Sequence, residues 1–193
     1  MANELTNEEG NSLLNIARAS ISHKFNINKK DKNNKYKDQL KNKHLYEKRG
    51  VFVTLHKNKQ LRGCIGTIEP VQSIIDGIKD NAINAAFKDP RFPPLRFDEL
   101  VDTDIEISIL TKPVTLEYTD YKDLLSKLKP SIHGVILKKD YTRATFLPQV
   151  WEQLPDTKDF LSQLCKKADL APGEWKKENI EIMVYQVQCF NEK

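Results

Sequence analysis

Residues 51–67 read VFVTLHKNKQLRGCIGT. Two β-prone runs, Val51 to His56 and Leu61 to Thr67, flank Lys57-Asn58-Lys59-Gln60, a pattern that predicts an antiparallel hairpin. Gly63 and Gly66 fall inside the second strand, where glycine weakens pairing and packs nothing. Some other backbone or ligand therefore has to come close there. In a regular strand Arg62 and Cys64 would share one face, with Leu61 and Ile65 on the other. A guanidinium beside a thiol favours the thiolate that a nucleophile or ligand needs. The competing reading makes Cys64 a small packed hydrophobe and the glycines mere clearance for a neighbour.

Working outward, Thr6 and Glu9 form an S/T-x-x-E capping box ahead of Leu13, Leu14, Ala17 and Ile21 at helical spacing. After the hairpin, Pro70 sits at an expected helix start, and Val71, Ile74, Ile75, Ile78, Ala82, Ala85 and Ala86 supply an apolar stripe. Asp89-Pro-Arg-Phe-Pro-Pro94 is a stiff connector, because its three prolines exclude helix. Ile105, Ile107 and Ile109 alternate with polar residues as a half-buried strand. A short helix near Asp120 to Lys127 precedes a second hairpin, Val135–Lys139 with Arg143–Leu147, and Asp156 caps a helix carrying Phe160, Leu161, Leu164, Cys165 and Ala168. A final strand runs through Ile180, Ile182 and Val184, then slips one residue to Val187 and Cys189, which predicts a bulge or twist near Tyr185-Gln186. Hairpins with helices between them give an α+β fold with antiparallel sheets rather than a βαβ parallel one.

The chain has 193 residues, 39% hydrophobic and 30% charged, enough to bury a core as one domain or two small subdomains. No apolar run is long enough to cross a membrane, and the first ten residues carry no secretory pattern. Three widely spaced cysteines (Cys64, Cys165, Cys189) suggest a reducing, cytoplasmic setting and neither a disulfide scaffold nor a zinc pair. Cys165 and Cys189 read as core residues. The four histidines lack metal-ligand spacing, so neither metal nor cofactor is expected; His133, beside Gly134, is the one placed to act as a base. Neither a Walker pattern nor GxGxxG occurs. Net charge is +4, but residues 24–49 alone carry +7 and the remainder −3. Residues 26–43, rich in Lys and Asn, read as an exposed loop, and the acidic balance elsewhere argues against a nucleic-acid partner.

LRGCIG at 61–66 resembles the signature hexapeptide of the AMMECR domain family, named after the Alport syndrome, mental retardation, midface hypoplasia and elliptocytosis chromosomal region. Asp89–Leu95, Glu106–Leu110, His133-Gly134, Thr145–Trp151, Phe160 through Leu170 and Trp175 follow in the family's order, so the resemblance spans residues 8–190. It implies a single AMMECR-like domain over residues 1–193. Its two unequal subdomains would each be an antiparallel sheet with helices, separated by a cleft, the larger holding both termini. The hexapeptide would face that cleft. Candidate cleft residues are then Arg62, Gly63, Cys64, Gly66, Arg91, Glu106, His133 and Gln149. Prokaryotic relatives occur beside Memo-like and radical SAM proteins, an association that implies a shared modification pathway.

Three functional readings follow. In the first, the cleft binds a protein segment or a modified macromolecule, with Arg62, Gly63, Gly66, Arg91 and Gln149 as contacts and Cys64 packed for shape. In the second, Cys64 is a nucleophile with His133 as base, or Glu106 and Arg62 perform acid–base work. In the third, the basic segment 24–43 attracts nucleic acid.

Overall fold

The computed structural model describes residues 5–25, 42–177 and 179–192, so residues 26–41 of the Lys/Asn-rich segment lie outside them. The elements are α1 (Asn7–Lys24), β1 (Val51–Lys57), β2 (Gln60–Thr67), α2 (Ile74–Phe87), β3 (Thr103–Leu110), β4 (Val114–Thr115), α3 (Tyr121–Lys127), β5 (Gly134–Lys139), β6 (Thr142–Phe146), α4 (Thr157–Lys167), β7 (Glu181–Tyr185) and β8 (Val187–Asn191). They form two four-stranded antiparallel sheets, ordered β2-β1-β3-β8 and β4-β7-β5-β6. The fold is α+β. The chain divides into two compact units, one of Met1–Leu110 with Gln188–Lys193 and one of Thr111–Val187. No described helix is long and apolar enough to cross a membrane.

In the first unit the capping box forms as expected. Glu9 N–H donates to Thr6 Oγ1 at 3.2 Å, and Thr6 N–H donates to Glu9 Oε2 at 2.7 Å. Leu13, Leu14, Ala17 and Ile21 of α1 and Ile74, Ile75, Ile78, Ala82, Ala85 and Ala86 of α2 are buried against Val51, Val53 and Leu55 of β1 and Ile105, Ile107 and Ile109 of β3. The strands' period of two therefore sends Thr54, His56, Glu106 and Ser108 to the face turned away from these helices. α2 begins at Ile74, not beside Pro70. Ser73 supplies the cap by accepting the Asp76 N–H at 3.1 Å, while a bridge from Lys48 to Ser73 holds the preceding residues extended. Val71 is consequently outside the helix and exposed.

The first hairpin is tighter than the sequence suggested. β1 and β2 meet through two residues, Asn58 and Lys59, with φ of 51° and 63°. Both lie in the left-handed region, the conformation whose twist suits a two-residue hairpin. The register also breaks once: Leu55 faces Gly63 while His56 faces Leu61, leaving Arg62 as the extra residue of a bulge.

The second unit packs α3 and α4 on its sheet around Trp151, Phe160, Leu161, Leu164, Cys165 and Trp175. Trp151 and Phe160 are stacked, with ring centroids 3.6 Å apart and planes 4° apart. The slip near Tyr185-Gln186 proves not to be a bulge within one strand. β7 belongs to the second sheet and β8 to the first, so Gln186 is where the chain changes sheets. The change also resets which side chains point inward. On β8 Phe190 is buried, covering Gly10 of α1, and Cys189 is exposed, contrary to the core position its spacing suggested. Cys165 is fully buried, as expected.

Candidate functional site

β2 is an edge strand, and an edge strand exposes backbone donors and acceptors that need covering. At Cys64 the covering comes from side chains. Asp89 Oδ2 accepts the Cys64 N–H at 2.8 Å, and Arg91 Nη2 donates to the Cys64 carbonyl at 3.2 Å. Together they imitate one residue of a neighbouring strand. Arg91 binds the same carboxylate through Nε at 3.0 Å and Nη2 at 2.7 Å, and its N–H donates to Oδ1 at 3.1 Å. The Asp89 side chain is 2% exposed while that of Arg91 is 54% exposed. Hydrogen bonds from Arg91 hold the Asp89 carboxyl well below the usual carboxylate range, against the opposing effect of burial. The stiff connector 89–94 is what brings both residues to the edge.

Arg62, displaced by the bulge, turns to Glu99 rather than to the thiol. Its Nε and Nη2 donate to the two carboxylate oxygens at 3.2 and 3.0 Å, and Lys57 Nζ donates to Oε1 at 3.1 Å. These partners, Arg62 foremost, bring the Glu99 carboxyl down to about 2. The expectation that Arg62 and Cys64 share a face and cooperate therefore fails, because one inserted residue breaks the alternation. The glycines do admit close neighbours. A Cβ on Gly63 would overlap the Ala85 carbonyl oxygen of α2, and one on Gly66 would overlap the Phe52 ring.

On the helix-free face a polar row crosses the whole sheet. The register aligns Cys64 with Thr54 and Thr54 with Glu106. Thr54 Oγ1 donates to Cys64 Sγ at 3.3 Å. With its amide turned so that both ends are satisfied, Asn191 donates to Glu106 Oε2 at 3.2 Å. Cys64, Thr54 and Glu106 are half-buried. In the row toward Phe52, Ser108 and Cys189 approach at 3.6 Å.

His133 and Gln149 belong to the second unit, away in sequence and in sheet from this row. His133 precedes β5, where its Nδ1 accepts the Lys129 N–H at 3.2 Å and its carbonyl accepts from Trp151 Nε1 at 2.7 Å. Burial, aided by the Lys129 charge, lowers its pKa. Gln149 is exposed on the turn Pro148–Glu152. Six of the eight candidates, Arg62, Gly63, Cys64, Gly66, Arg91 and Glu106, thus lie in the first unit. The sequence reading missed Asp89, Glu99, Thr54 and Asn191. Asp89 had a signal: an acid two residues before an arginine, in a proline-fixed connector, can form a chelating pair. Among the described residues no group of three His, Cys, Asp or Glu side chains is arranged to hold a metal ion.

A family model named AMMECR1 matches residues 14–190. The chain belongs to the AMMECR1 family. Among its curated relatives, Protein MK0488 of Methanopyrus kandleri is 38% identical over 201 residues, covering 100% of this chain and 93% of the relative. Protein MJ0810 of Methanocaldococcus jannaschii is 38% identical over 191 residues, covering 97% and 92%. A crystal structure of the uncharacterized protein PH0010 from Pyrococcus horikoshii superposes with a TM-score of 0.82 at 32% identity, covering 98% of this chain and 94% of that one. The AMMECR1 fold is thereby common to this chain and an archaeal relative.

Proposed function

We propose that this AMMECR1-family protein is a binding module that receives a protein segment, or a modified macromolecule presenting one, where the first unit carries residues 61–66. It serves as an accessory factor in a modification pathway rather than as a Cys/His enzyme. The observation that carries this reading is the Asp89 carboxylate on the Cys64 amide. A cysteine nucleophile commonly needs N–H groups, often its own, to hold the oxyanion that develops on the substrate. Here that N–H is taken by a buried anion, whose charge would repel a developing oxyanion. The other would-be members support the same reading: Arg62 is committed to Glu99, and His133 Nδ1 to the Lys129 N–H.

The test pans a library of random octapeptides with free C termini against the purified full chain and against Cys64→Ser. The expected result is the same enriched sequences, with affinities within about threefold. Covalent capture of thioester or activated-amide probes at Cys64, abolished by Cys64→Ser and by His133→Ala, would overturn the reading in favour of the enzyme.

A further inference from the structure

The backbone geometry of β2 determines how a polypeptide segment would bind there. Because Cys64 sends its N–H and C=O to Asp89 and Arg91, the Cys64–Thr54 pair is one whose β2 backbone groups point away from β1. In an antiparallel ladder this orientation recurs every second residue, so the Gly66 N–H and C=O point the same way. No described residue hydrogen-bonds them on that side. Gly66 is partly exposed, and in glycine that exposure is of main chain. The side-chain cap on this edge therefore stops at Cys64, one outward-facing residue short.

Beside the open position stands a cation with spare capacity. Arg91 uses Nε and Nη2 on Asp89 and the Cys64 carbonyl, and no hydrogen bond from its Nη1 exists among the described residues. Its side chain is 54% exposed, and its guanidinium lies 5.5 Å from the Phe92 ring centroid. Two residues of strand span about 7 Å. A chain paired with Gly66 would therefore meet the Asp89–Arg91 pair at its next register position, where it cannot continue as a strand. A carboxylate there would meet the guanidinium instead.

We propose that β2 receives an extended polypeptide segment, added as a strand at Gly66, whose carboxylate is held by Arg91. Main-chain hydrogen bonds supply affinity in strand addition, and the carboxylate fixes where the segment ends or bends. A C-terminal carboxylate and an Asp or Glu side chain share this chemistry, and the experiment separates them. This inference rests on the segment-binding reading above.

Enriched octapeptides are resynthesised as free acids, as C-terminal amides, with each Asp or Glu changed to Asn or Gln, and with each amide N-methylated in turn. Binding to the full chain is measured by titration calorimetry. The expected N-methyl profile has one sensitive amide, the one opposite Gly66, whose methylation weakens binding at least tenfold while its two neighbours tolerate it. Only alternate amides of an added strand face its partner, and β2 leaves one outward-facing position open. Amidation alone should weaken binding at least tenfold if the carboxylate is terminal; Asn or Gln replacement should do so if it is a side chain. Arg91→Gln should weaken binding at least tenfold and Arg91→Lys less. A flat N-methyl profile overturns strand addition, and binding unmoved by Arg91→Gln in a folded variant overturns the carboxylate contact; either leaves segment binding intact. Should Arg91→Gln fail to fold, the N-methyl scan on the unaltered protein decides. Absence of any enriched peptide overturns both readings.

Discussion

The two units satisfy their partly buried polar groups by different means. In the first, charged side chains bind backbone and one another: Asp89 and Arg91 at the β2 edge, Glu99 with Arg62 and Lys57, and Arg18 with Glu192. In the second, one ionic cluster holds the buried Glu174 between Lys139 and Lys177, and elsewhere aromatic rings reach out to neutral acceptors. Trp151 Nε1 donates to the His133 carbonyl at 2.7 Å, Tyr118 Oη to the Ile180 carbonyl at 2.7 Å, and Trp175 Nε1 to Ser162 Oγ at 3.2 Å. Tyr185, buried beside Thr145, has its pKa pushed up to about 12 by that burial. Ionic clamps respond to acid, whereas aromatic packing responds to lost volume. The family's signature hexapeptide lies in the ionic half, and most of it holds structure: Arg62 binds Glu99, Gly63 admits α2, and Gly66 admits Phe52.

Removing the largest ring tests the aromatic half. Trp151→Ala should destabilise the protein by about 3–5 kcal/mol, with hydrogen exchange accelerated first in β5, β6 and α4, because Trp151 is 2% exposed and stacked on Phe160. Loss confined to the first sheet would mean that the Trp151–Phe160 stack does not stabilise its own unit. In the ionic half, Asp89→Ala should cost about 2–4 kcal/mol in chemical denaturation, since it leaves the Cys64 N–H and the Arg91 donors unmet. An effect below about 0.5 kcal/mol would mean that water replaces the clamp freely.

The glycines sharpen the contrast at a smaller scale. Gly63→Ala should destabilise by about 1–3 kcal/mol because the obstacle is the backbone carbonyl of Ala85. Gly173→Ala, with nothing within 4 Å of the added carbon, should stay within about 0.5 kcal/mol. Acid loosens the clamps of both units in the same direction, since the lysines around Glu174 also hold its carboxyl below the ordinary range. Glu99 and Asp89 titrate below their ordinary values when folded, so their stabilisation is complete above about pH 5 and disappears as pH falls toward 2. Thermal melting from pH 7 to 2 should show this loss, and Glu99→Gln should make the curve shallower over pH 5 to 2. The smallest effect belongs to the thiol: Cys64→Ser should alter the melting midpoint by less than about 0.5 kcal/mol equivalent. Alkylation in the same preparations should spare Cys165, which is fully buried and whose thiol is pushed up by that burial, until the protein unfolds.

Local rules determined the elements of this protein from its sequence. The capping box at Thr6–Glu9, the isoleucine alternation on β3, the apolar stripes of α1, α2 and α4, both hairpins and therefore the α+β class all follow from the next few neighbours along the chain. So does the family, which rests on linear motifs. Three features required tertiary structure, because each depends on contacts between residues distant in sequence. The first is the change of sheet at Gln186, which one strand's alternation cannot distinguish from a bulge and which placed Cys189 outward. The second is the bulge at Arg62, where a single inserted residue redirected a guanidinium from a thiol to Glu99, 37 positions away. The third is the cap on β2: only folding carries Asp89, 25 residues beyond Cys64, to an amide that the sequence left without a partner. Sequence patterns record which faces must be buried; which polar groups meet across an edge is decided when the elements pack.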